Sequence, residues 1–241
     1  MIATPFFAGS RLALDLGGRE ILRDIDIAVV PGEVLGIIGP NGAGKTSLFE
    51  VLCGRIAPKS GRIVFKGRDI TRLRLFERAR LGIGRTYQTP VVPDDLSVGE
   101  VLKAARQAYR PYRTRHHAEW ACELVGFKVD ETLPAANLET LNRRKLLLAC
   151  LLLRGVTLLL LDEPAAGMIN TEIDEFDHLI RLLSKEMNIA IAIVEHRIEL
   201  LDTIADRVMV MDAGETIAEG TLADILDDPR VHAAYFESID A

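Results

Sequence analysis

The sequence predicts an α/β fold in which helices cover a mostly parallel sheet. Three observations support this prediction. Short apolar runs alternate along the chain with segments of helical periodicity. Most of these runs are apolar at nearly every position, as expected for strands that are buried on both faces. The first run leads into a glycine-rich loop that is followed by a helical pattern.

Five strands are predicted, in chain order, at residues 33–38, 62–65, 156–161, 189–194 and 208–211. The first ends in the glycine-rich loop, and the second follows the turn at Ser60 and Gly61. Residues 90–153 have helical periods without a strand pattern, which predicts an inserted helical subdomain. Within that segment, Ser97 and Glu100 have the spacing of a capping box, which predicts that a helix begins there.

Composition limits the class of protein. The chain has 241 residues, of which 49% are hydrophobic and 27% charged, so disordered, collagen-like and disulfide-scaffold proteins are excluded. The longest apolar run, residues 146–153, is far shorter than the roughly 18 residues of a membrane-spanning helix. We expect no secretory signal. Cys53, Cys122 and Cys150 lack metal-ligand spacing, which favours reduced thiols in a cytosolic protein.

Residues 39–46 fit the phosphate-loop pattern G-x-x-x-x-G-K-[ST] between a predicted strand and a helical pattern. Glycines let successive backbone N–H groups face phosphate oxygens, and the following helix adds the positive end of its dipole. We predict that Lys45 contacts the β- and γ-phosphates and that the Thr46 hydroxyl ligates Mg²⁺. The predicted nucleotide-binding residues in this segment are Gly39, Pro40, Asn41, Gly42, Ala43, Gly44, Lys45, Thr46 and Ser47.

Asp162 and Glu163 directly follow the third predicted strand. A carboxylate beside a phosphate loop is suited to hold the hydration shell of Mg²⁺, which is the role predicted for Asp162. The next carboxylate, Glu163, can orient or deprotonate an attacking water. A strand that ends in two acids is often just a strand meeting solvent, but together with the phosphate loop it predicts hydrolysis of a nucleoside triphosphate.

These residues resemble those of the ATP-binding subunits of ABC transporters over nearly the whole chain. Residues 82–88 are similar to the family's Q-loop, and residues 193–196 to its switch-histidine strand end. The resemblance implies that Gln88 senses the γ-phosphate and Mg²⁺, and that His196 contacts the γ-phosphate. It therefore implies ATP and Mg²⁺ as cofactors. The implied catalytic residues are Glu163, His196 and Gln88. The implied Mg²⁺ ligands are Thr46, Gln88 and Asp162.

The resemblance also implies a P-loop NTPase (RecA-like) core, with an antiparallel β part near the N-terminus and the helical subdomain inserted into it. The whole chain, 1–241, is then one domain, with a core of residues 1–89 and 154–241 and a helical subdomain of residues 90–153. Such a protein is an ATPase whose hydrolysis is coupled to transport. Its expected partners are membrane permease subunits and a second ATPase subunit. Its expected location is the cytoplasmic face of the membrane, as a peripheral protein.

Within the family, the resemblance is closest to the uptake branch for branched-chain amino acids and urea. The similar stretches are residues 162–167, residues 195–196, and the tail from Asp228 to Val231 with Ala234, Tyr235 and Phe236. Residues 85–90 are closer to the urea or amide members. The expected substrates are therefore branched-chain amino acids, urea or related small amides.

The chain departs from the family at its signature, of the form L-S-x-G-x. In residues 138–145, Glu139 stands at the serine position and Leu141 at the glycine position. Leucine adds bulk where a partner's γ-phosphate should approach, and glutamate adds negative charge, so both should weaken that contact. Residues 96–100 match the signature better but lie far upstream of Asp162, and we interpret them as a helix cap.

Two further positions depart from the family. Leu16 stands where an aromatic side chain usually stacks on adenine, so we expect apolar contact with the base. Ile169 stands where Asp, Asn or Thr usually helps to couple the two ATP sites. Because the chain keeps its own phosphate loop but would offer a poor signature, we expect a heterodimer with a second ATPase rather than a homodimer.

The charge distribution bears on the expected partners, and three functional hypotheses stay open. The net charge is −6, which disfavours nucleic-acid binding. Residues 66–115 nevertheless hold 12 Lys or Arg against 5 Asp or Glu, which fits either a solvated face or a contact surface for a permease and anionic lipid. Besides a transport ATPase, the alternatives are a soluble non-transport ABC ATPase and a nucleotide-binding regulatory subunit with little intrinsic hydrolysis.

Overall fold

The computed structural model describes residues 6–235; the two ends, including Phe236 of the tail stretch, lie outside the described residues. The strands are β1 (Phe7–Leu16), β2 (Arg19–Val29), β3 (Val34–Ile38), β4 (Ser60–Phe65), β5 (Arg68–Asp69), β6 (Ile83–Thr86), β7 (Leu158–Asp162), β8 (Ala190–Val194), β9 (Arg207–Asp212) and β10 (Glu215–Gly220). The α-helices are α1 (Lys45–Cys53), α2 (Leu75–Leu81), α3 (Val98–Gln107), α4 (Arg115–Leu124), α5 (Thr140–Leu153), α6 (Asn170–Arg181), α7 (Ile198–Ile204), α8 (Leu222–Leu226) and α9 (Pro229–Tyr235). A 3-10 turn precedes α5 (Ala135–Asn137), and a π-helical turn extends α6 (Leu182–Glu186).

The main sheet has six strands in the order β10-β9-β3-β8-β7-β6. Every neighbouring pair is parallel except β9 and β10, which are antiparallel. All residues of β3, β7 and β8 are buried, as expected for central strands that are covered on both faces. The predicted α/β class with a mostly parallel sheet is therefore confirmed.

A second sheet holds the antiparallel β part near the N-terminus. Its order is β2-β1-β4-β5, and all its pairs are antiparallel. The predicted strand at residues 62–65 belongs here, as β4. The antiparallel N-terminal part that the resemblance implied is thus confirmed.

The core consists of two layers, one on each face of the main sheet. Successive side chains of a strand point to opposite faces, and along β7 Leu159 and Leu161 enter one layer while Leu158 and Leu160 enter the other. The first layer contains the packed side of α3, α4 and α5. The second contains α1 and the antiparallel sheet.

Between β6 and β7 the described chain is helical. It holds α3, α4 and α5, and the one β-type contact is an isolated bridge between Ser97 and Pro134. The predicted capping box at the start of α3 is confirmed: the Ser97 hydroxyl accepts from the Glu100 N–H over 3.3 Å, and the Glu100 carboxylate accepts from the Ser97 N–H over 2.8 Å. The division of the chain into core and helical subdomain stays a prediction.

The five predicted strands correspond to β3, β4, β7, β8 and β9, with boundaries shifted by at most two residues. Strand β6 carries no such prediction, because Gly82 and Gly84 interrupt its apolar pattern. A Cβ on Gly84 would lie 2.8 Å from a Val156 methyl group, so the interruption reflects close packing of β6 on its neighbours. Over residues 6–235, we find no helix with the length and apolar character required to cross a membrane.

Candidate functional site

The phosphate-loop segment joins β3 to α1, and two of its glycines are required by geometry. At Gly39 a Cβ would lie 2.0 Å from the Met211 carbonyl oxygen, so no other residue fits there. Gly44 is the N-cap of α1 and has a φ of 99°, a value that favours glycine. The loop therefore turns with its backbone N–H groups at the start of α1, where the helix dipole favours an anion.

Lys45 lies in the first turn of α1 and is buried. Its ammonium donates to the carbonyl oxygens of Gly39 over 2.7 Å and Pro40 over 3.0 Å. Burial lowers the pKa of Lys45, and the negative charges of Glu163 and Asp162 partly counter this. The loop thus closes around a cation that has two neutral partners and no ion pair among the described residues.

Two cavities meet at Thr46. The first, of about 280 Å³, is lined by Ile21, Asn41, Gly42, Gly44, Lys45, Thr46, Ser47, Glu163 and His196. The second, of about 530 Å³, is lined by Thr46, Glu50, Arg55, Arg85, Tyr87, Gln88, Thr89, Val91 and Asp162. The structure therefore brings the phosphate loop, both acids, Gln88 and His196 to one edge of the main sheet, which is the edge where ligands bind in open α/β sheets.

Gln88 and His196 converge on Glu163. Gln88 Nε2 donates to Glu163 Oε2 over 2.7 Å, and His196 Nε2 lies 3.1 Å from Glu163 Oε1. The three residues follow β6, β7 and β8, which are adjacent parallel strands. Because parallel strands end at the same edge, residues that are 75 and 33 positions apart in the chain meet there.

Asp162, the last residue of β7, is buried and paired with Arg85. Arg85 Nη2 lies 3.1 Å from Asp162 Oδ2, and Arg85 Nη1 lies 2.9 Å from Glu50 Oε1. The Arg85 side chain is 3% exposed and its guanidinium lies 4.6 Å from the centre of the Tyr87 ring. Burial raises the pKa of Asp162, and the positive charge of Arg85 counters that rise.

The residues present fit a nucleoside triphosphate with Mg²⁺. A hydroxyl from Thr46, an amide from Gln88 and a carboxylate from Asp162 line the same cavity, and these are the oxygen donors that Mg²⁺ prefers. Beside them lies the loop cavity, with Lys45 and the α1 N-terminus for phosphate oxygens.

Leu16 and Ile169 lie outside these cavities. Leu16 ends β1 and is 41% exposed, and the loop cavity has Ile21 as its large apolar side chain instead. The adenine contact of Leu16 stays a prediction. Ile169 precedes α6 and is 65% exposed, an unusual exposure for an isoleucine.

The signature positions are well defined. Leu141 lies in the first turn of α5 and is 7% exposed, packed into the core layer that contains α3 and α4. Glu139 is the N-cap of α5, and its side chain makes no capping hydrogen bond. The N-terminus of α5 thus presents a carboxylate, and its first turn directs Leu141 inward. The correspondence of these two positions to the signature serine and glycine stays a prediction.

Besides Arg85, two buried charged residues at the site have no role in the sequence predictions. Arg144 Nη2 donates to the carbonyl oxygens of Gln88 and Ala166, each over 3.0 Å. The Glu195 carboxylate accepts from the N–H groups of Ala165 over 2.8 Å and His196 over 3.2 Å. The signal available in the sequence was weak: a basic residue within an apolar helix and an acid after an apolar strand.

Comparison with known proteins identifies relatives along most of the chain. A family model described as ABC transporter matches residues 22–166. The lipopolysaccharide export system ATP-binding protein LptB of Acidithiobacillus ferridurans is 32% identical over 219 residues, which cover 90% of each chain. The high-affinity branched-chain amino acid transport ATP-binding protein LivG of Escherichia coli K12 is 30% identical, covering 97% of this chain and 98% of LivG.

A solved structure has a similar fold over nearly its whole length. It is an ATP-binding cassette of an ABC transporter in its ADP conformation, with a TM-score of 0.87 and 26% identity, covering 97% of this chain and 99% of that one.

Proposed function

The chain belongs to the ABC transporter family of ATP-binding proteins, and we propose that it is the subunit that binds and hydrolyses ATP to power an importer of branched-chain amino acids, urea or related small amides. The predicted family is confirmed, and with it the ATPase activity, since ATP-binding domains of this family hydrolyse ATP. The narrower branch and the substrate belong to the proposal.

In the proposed site, the phosphate loop and Lys45 hold the β- and γ-phosphates. Thr46, Gln88 and Asp162 would hold Mg²⁺, which would supply positive charge to the phosphate oxygens. Glu163 accepts a proton from the attacking water, and His196 contacts the γ-phosphate. The observation that best supports hydrolysis is the convergence of Gln88 and His196 on the carboxylate oxygens of Glu163 beside the loop cavity.

We propose that the working unit is a heterodimer with a second ATPase subunit. The supporting observations are the burial of Leu141 and the free carboxylate of Glu139 at the N-terminus of α5. A helix N-terminus favours an anion, and a carboxylate on that terminus opposes the approach of a partner's phosphates. The exposed Ile169 suits an apolar contact with that partner. In the same proposal, residues 90–153 form a helical subdomain inserted into a core of residues 1–89 and 154–241.

The proposed substrate class is branched-chain amino acids, urea or related small amides. Similarity to LivG over nearly the whole chain supports it. Similarity to LptB, which is named for lipopolysaccharide export, supports a different cargo at about the same identity. The proposed location is the cytoplasmic face of the membrane, where the basic segment 66–115 contacts the permease and anionic lipid.

Purification of the native complex from membranes tests this function. We expect a permease and a second ATPase to copurify with the chain, and the complex to hydrolyse ATP. Lys45→Ala should reduce hydrolysis by on the order of 10- to 100-fold, because it removes a charged contact to phosphate. Lys128→Ala, at an exposed position outside the basic segment 66–115, is the matched control. Absence of any membrane protein from the complex would refute the transport role.

The two cargo classes give different results in the same complex. A leucine- or urea-loaded binding protein should stimulate hydrolysis in liposomes. Stimulation by lipopolysaccharide alone would instead place the chain with the exporters.

A second candidate function, a regulatory subunit with little intrinsic hydrolysis, is favoured by Leu141 and Glu139 as well. Single-turnover hydrolysis in the complex separates the two functions. A regulatory subunit would leave ATP intact at its own phosphate loop, whereas the proposed ATPase would convert it to ADP in one turnover.

A further inference from the structure

Two buried charged side chains form hydrogen bonds with the main chain around the three proposed catalytic residues. Arg144 projects from α5 and is 4% exposed, and Glu195 follows β8 and is 3% exposed. Among the described residues, neither forms an ion pair with an N···O distance within 4.0 Å. Each is instead bonded to backbone groups.

The bonds of Arg144 reach two different segments. One guanidinium nitrogen, Nη2, donates to the carbonyl oxygen of Gln88 and to that of Ala166, each over 3.0 Å. Gln88 lies two residues after the end of β6, and Ala166 lies three residues after Glu163. A single nitrogen on α5 therefore holds both segments whose side chains meet in the Gln88–Glu163 hydrogen bond.

Glu195 completes the arrangement from the neighbouring strand. Its carboxylate accepts from the N–H of Ala165 over 2.8 Å and from the N–H of His196 over 3.2 Å. The segment after Glu163 is thus held at Ala165 by Glu195 and at Ala166 by Arg144. His196 is held at its own backbone nitrogen.

Arg144 and Glu195 also interact electrostatically. Burial lowers the pKa of Arg144, and the nearby negative charge of Glu195 counters the fall. Arg144 also leaves Nε and Nη1 buried without a hydrogen-bond partner within the described chain. An unpaired buried donor carries a desolvation cost. Burial of the Arg144 guanidinium is therefore unfavourable for Nε and Nη1, and only Nη2 gains hydrogen bonds there.

We propose that Arg144 and Glu195 are positioning residues: together they fix the backbone of Gln88, of the segment after Glu163, and of His196, so that the three side chains converge. Arg144 links α5 directly to the site, so that a change in the orientation of that helix changes the position of Gln88. The inference rests on the proposed ATPase function only for its effect on catalysis, because the backbone contacts join protein groups alone.

Arg154 provides a matched control. It lies just beyond α5, and its guanidinium donates to two carbonyl oxygens, those of Arg106 and Tyr109. Both carbonyls belong to the helical segment, far from Gln88 in the sequence. Arg154→Gln therefore removes the same kind of contact as Arg144→Gln, without releasing the site.

Hydrogen–deuterium exchange of the nucleotide-free full chain is the first measurement. We expect Arg144→Gln to accelerate exchange at residues 86–90 and 164–168, and Arg154→Gln to accelerate it near residues 106–110 and not at the site. Unchanged exchange at both site segments in Arg144→Gln would overturn the proposal. If that variant does not fold, Arg144→Lys serves in its place, because its ammonium ends one atom closer to the backbone than Nη2 and cannot reach both carbonyl oxygens. Unchanged exchange at both site segments would again overturn the proposal.

ATP hydrolysis by the native complex is the second measurement. We expect Arg144→Gln to lower kcat on the order of 10-fold or more with little change in KM, because misplaced catalytic groups slow the chemical step. Arg144→Lys should recover part of kcat, and Arg154→Gln should keep it. A loss of kcat no larger than that of Arg154→Gln would count against the positioning role. Absence of hydrolysis in the wild-type complex would refute the ATPase proposal and leave the exchange result standing.

Discussion

Gln88 and Glu163 are joined by a hydrogen bond of 2.7 Å between the amide nitrogen and one carboxylate oxygen. The bond links the segments that follow two adjacent strands, β6 and β7. Since His196 contacts the other oxygen, both oxygens of Glu163 face protein groups. Because a carboxylate oxygen can accept two hydrogen bonds, a water that Glu163 is to activate can bind beside one of these partners.

The first prediction concerns Glu163 itself. Glu163→Gln removes the proposed base and retains its size, so we expect turnover of the complex to fall on the order of 100-fold or more. ATP affinity, measured by titration calorimetry, should remain within a factor of about two, because the phosphate contacts belong to the loop. Glu123→Gln, at an exposed position of α4, is the control. An unchanged rate would show that Glu163 is not the base.

The second prediction concerns the stability of the phosphate-binding helix. Arg78 is 1% exposed and donates to the carbonyl oxygens of Val51 and Leu52 near the end of α1, each over 2.8 Å. Arg78→Met removes these donors and those to the Leu73 and Thr71 carbonyl oxygens. The Val51 carbonyl keeps the Gly54 N–H, and each carbonyl left unpaired costs about 1–3 kcal/mol. We expect the free energy of unfolding to fall by roughly 3 kcal/mol or more in urea titrations.

Arg80→Met is the control for this change, since Arg80 lies two residues away on α2 and is exposed. It should alter the unfolding free energy by less than about 0.5 kcal/mol. Equal losses in the two variants would mean that the buried contacts of Arg78 add nothing to stability.

The third prediction concerns pH. Burial raises the pKa of Glu195, and the N–H donors of Ala165 and His196 counter part of the rise. A raised pKa means that the folded protein holds this proton more tightly than the unfolded chain does. Stability therefore falls as pH rises from the ordinary value of 4.5 through the folded-state pKa. Glu195→Gln cannot titrate and lacks this loss.

Urea titrations of wild type and Glu195→Gln at several pH values measure this effect. The free energy of unfolding of the wild type, relative to that of the variant, should decrease as pH rises above about 4.5 and then level off. A difference that stays constant with pH would contradict the prediction.

The fourth prediction concerns the exposed Ile169. Its N–H donates to Glu172 Oε2 over 2.9 Å at the start of α6, but an isoleucine side chain cannot accept from the helix in return. Ile169→Asp completes the reciprocal cap, so we expect the free energy of unfolding to rise by about 1 kcal/mol. Ile169→Ala should give no such gain in thermal melts. Destabilisation by Ile169→Asp would show that the missing cap does not limit the stability of α6.

Local patterns were sufficient to predict the chemistry along the chain. The strand before Gly39, the helix after it and the acids after β7 are contiguous sequence signals, and the fold has them where they were expected. The capping box at Ser97 was predictable for the same reason: both of its partners lie within four residues. The meeting of Gln88, Glu163 and His196 in space followed from the resemblance rather than from any local pattern.

The contacts of Arg85, Arg144 and Glu195 could not be predicted in this way. Arg144 bonds carbonyl oxygens that are 56 and 22 residues away, and every residue has such a carbonyl. Which of them a buried side chain reaches depends on how α5 packs against the sheet. The order of residue types along the chain does not specify the distance between α5 and these carbonyl oxygens.

The burial of Leu141 has a consequence for how this position can change over time. Replacing a buried leucine with alanine costs about 2–5 kcal/mol, and a glycine within a helix costs about 1 kcal/mol more. Total stability of a domain is about 5–15 kcal/mol, so a single change from leucine to glycine would remove much of it. Once α5 is packed around this leucine, a much smaller side chain requires compensating changes elsewhere in the core. Substitution at this position is therefore restricted to apolar side chains of similar volume.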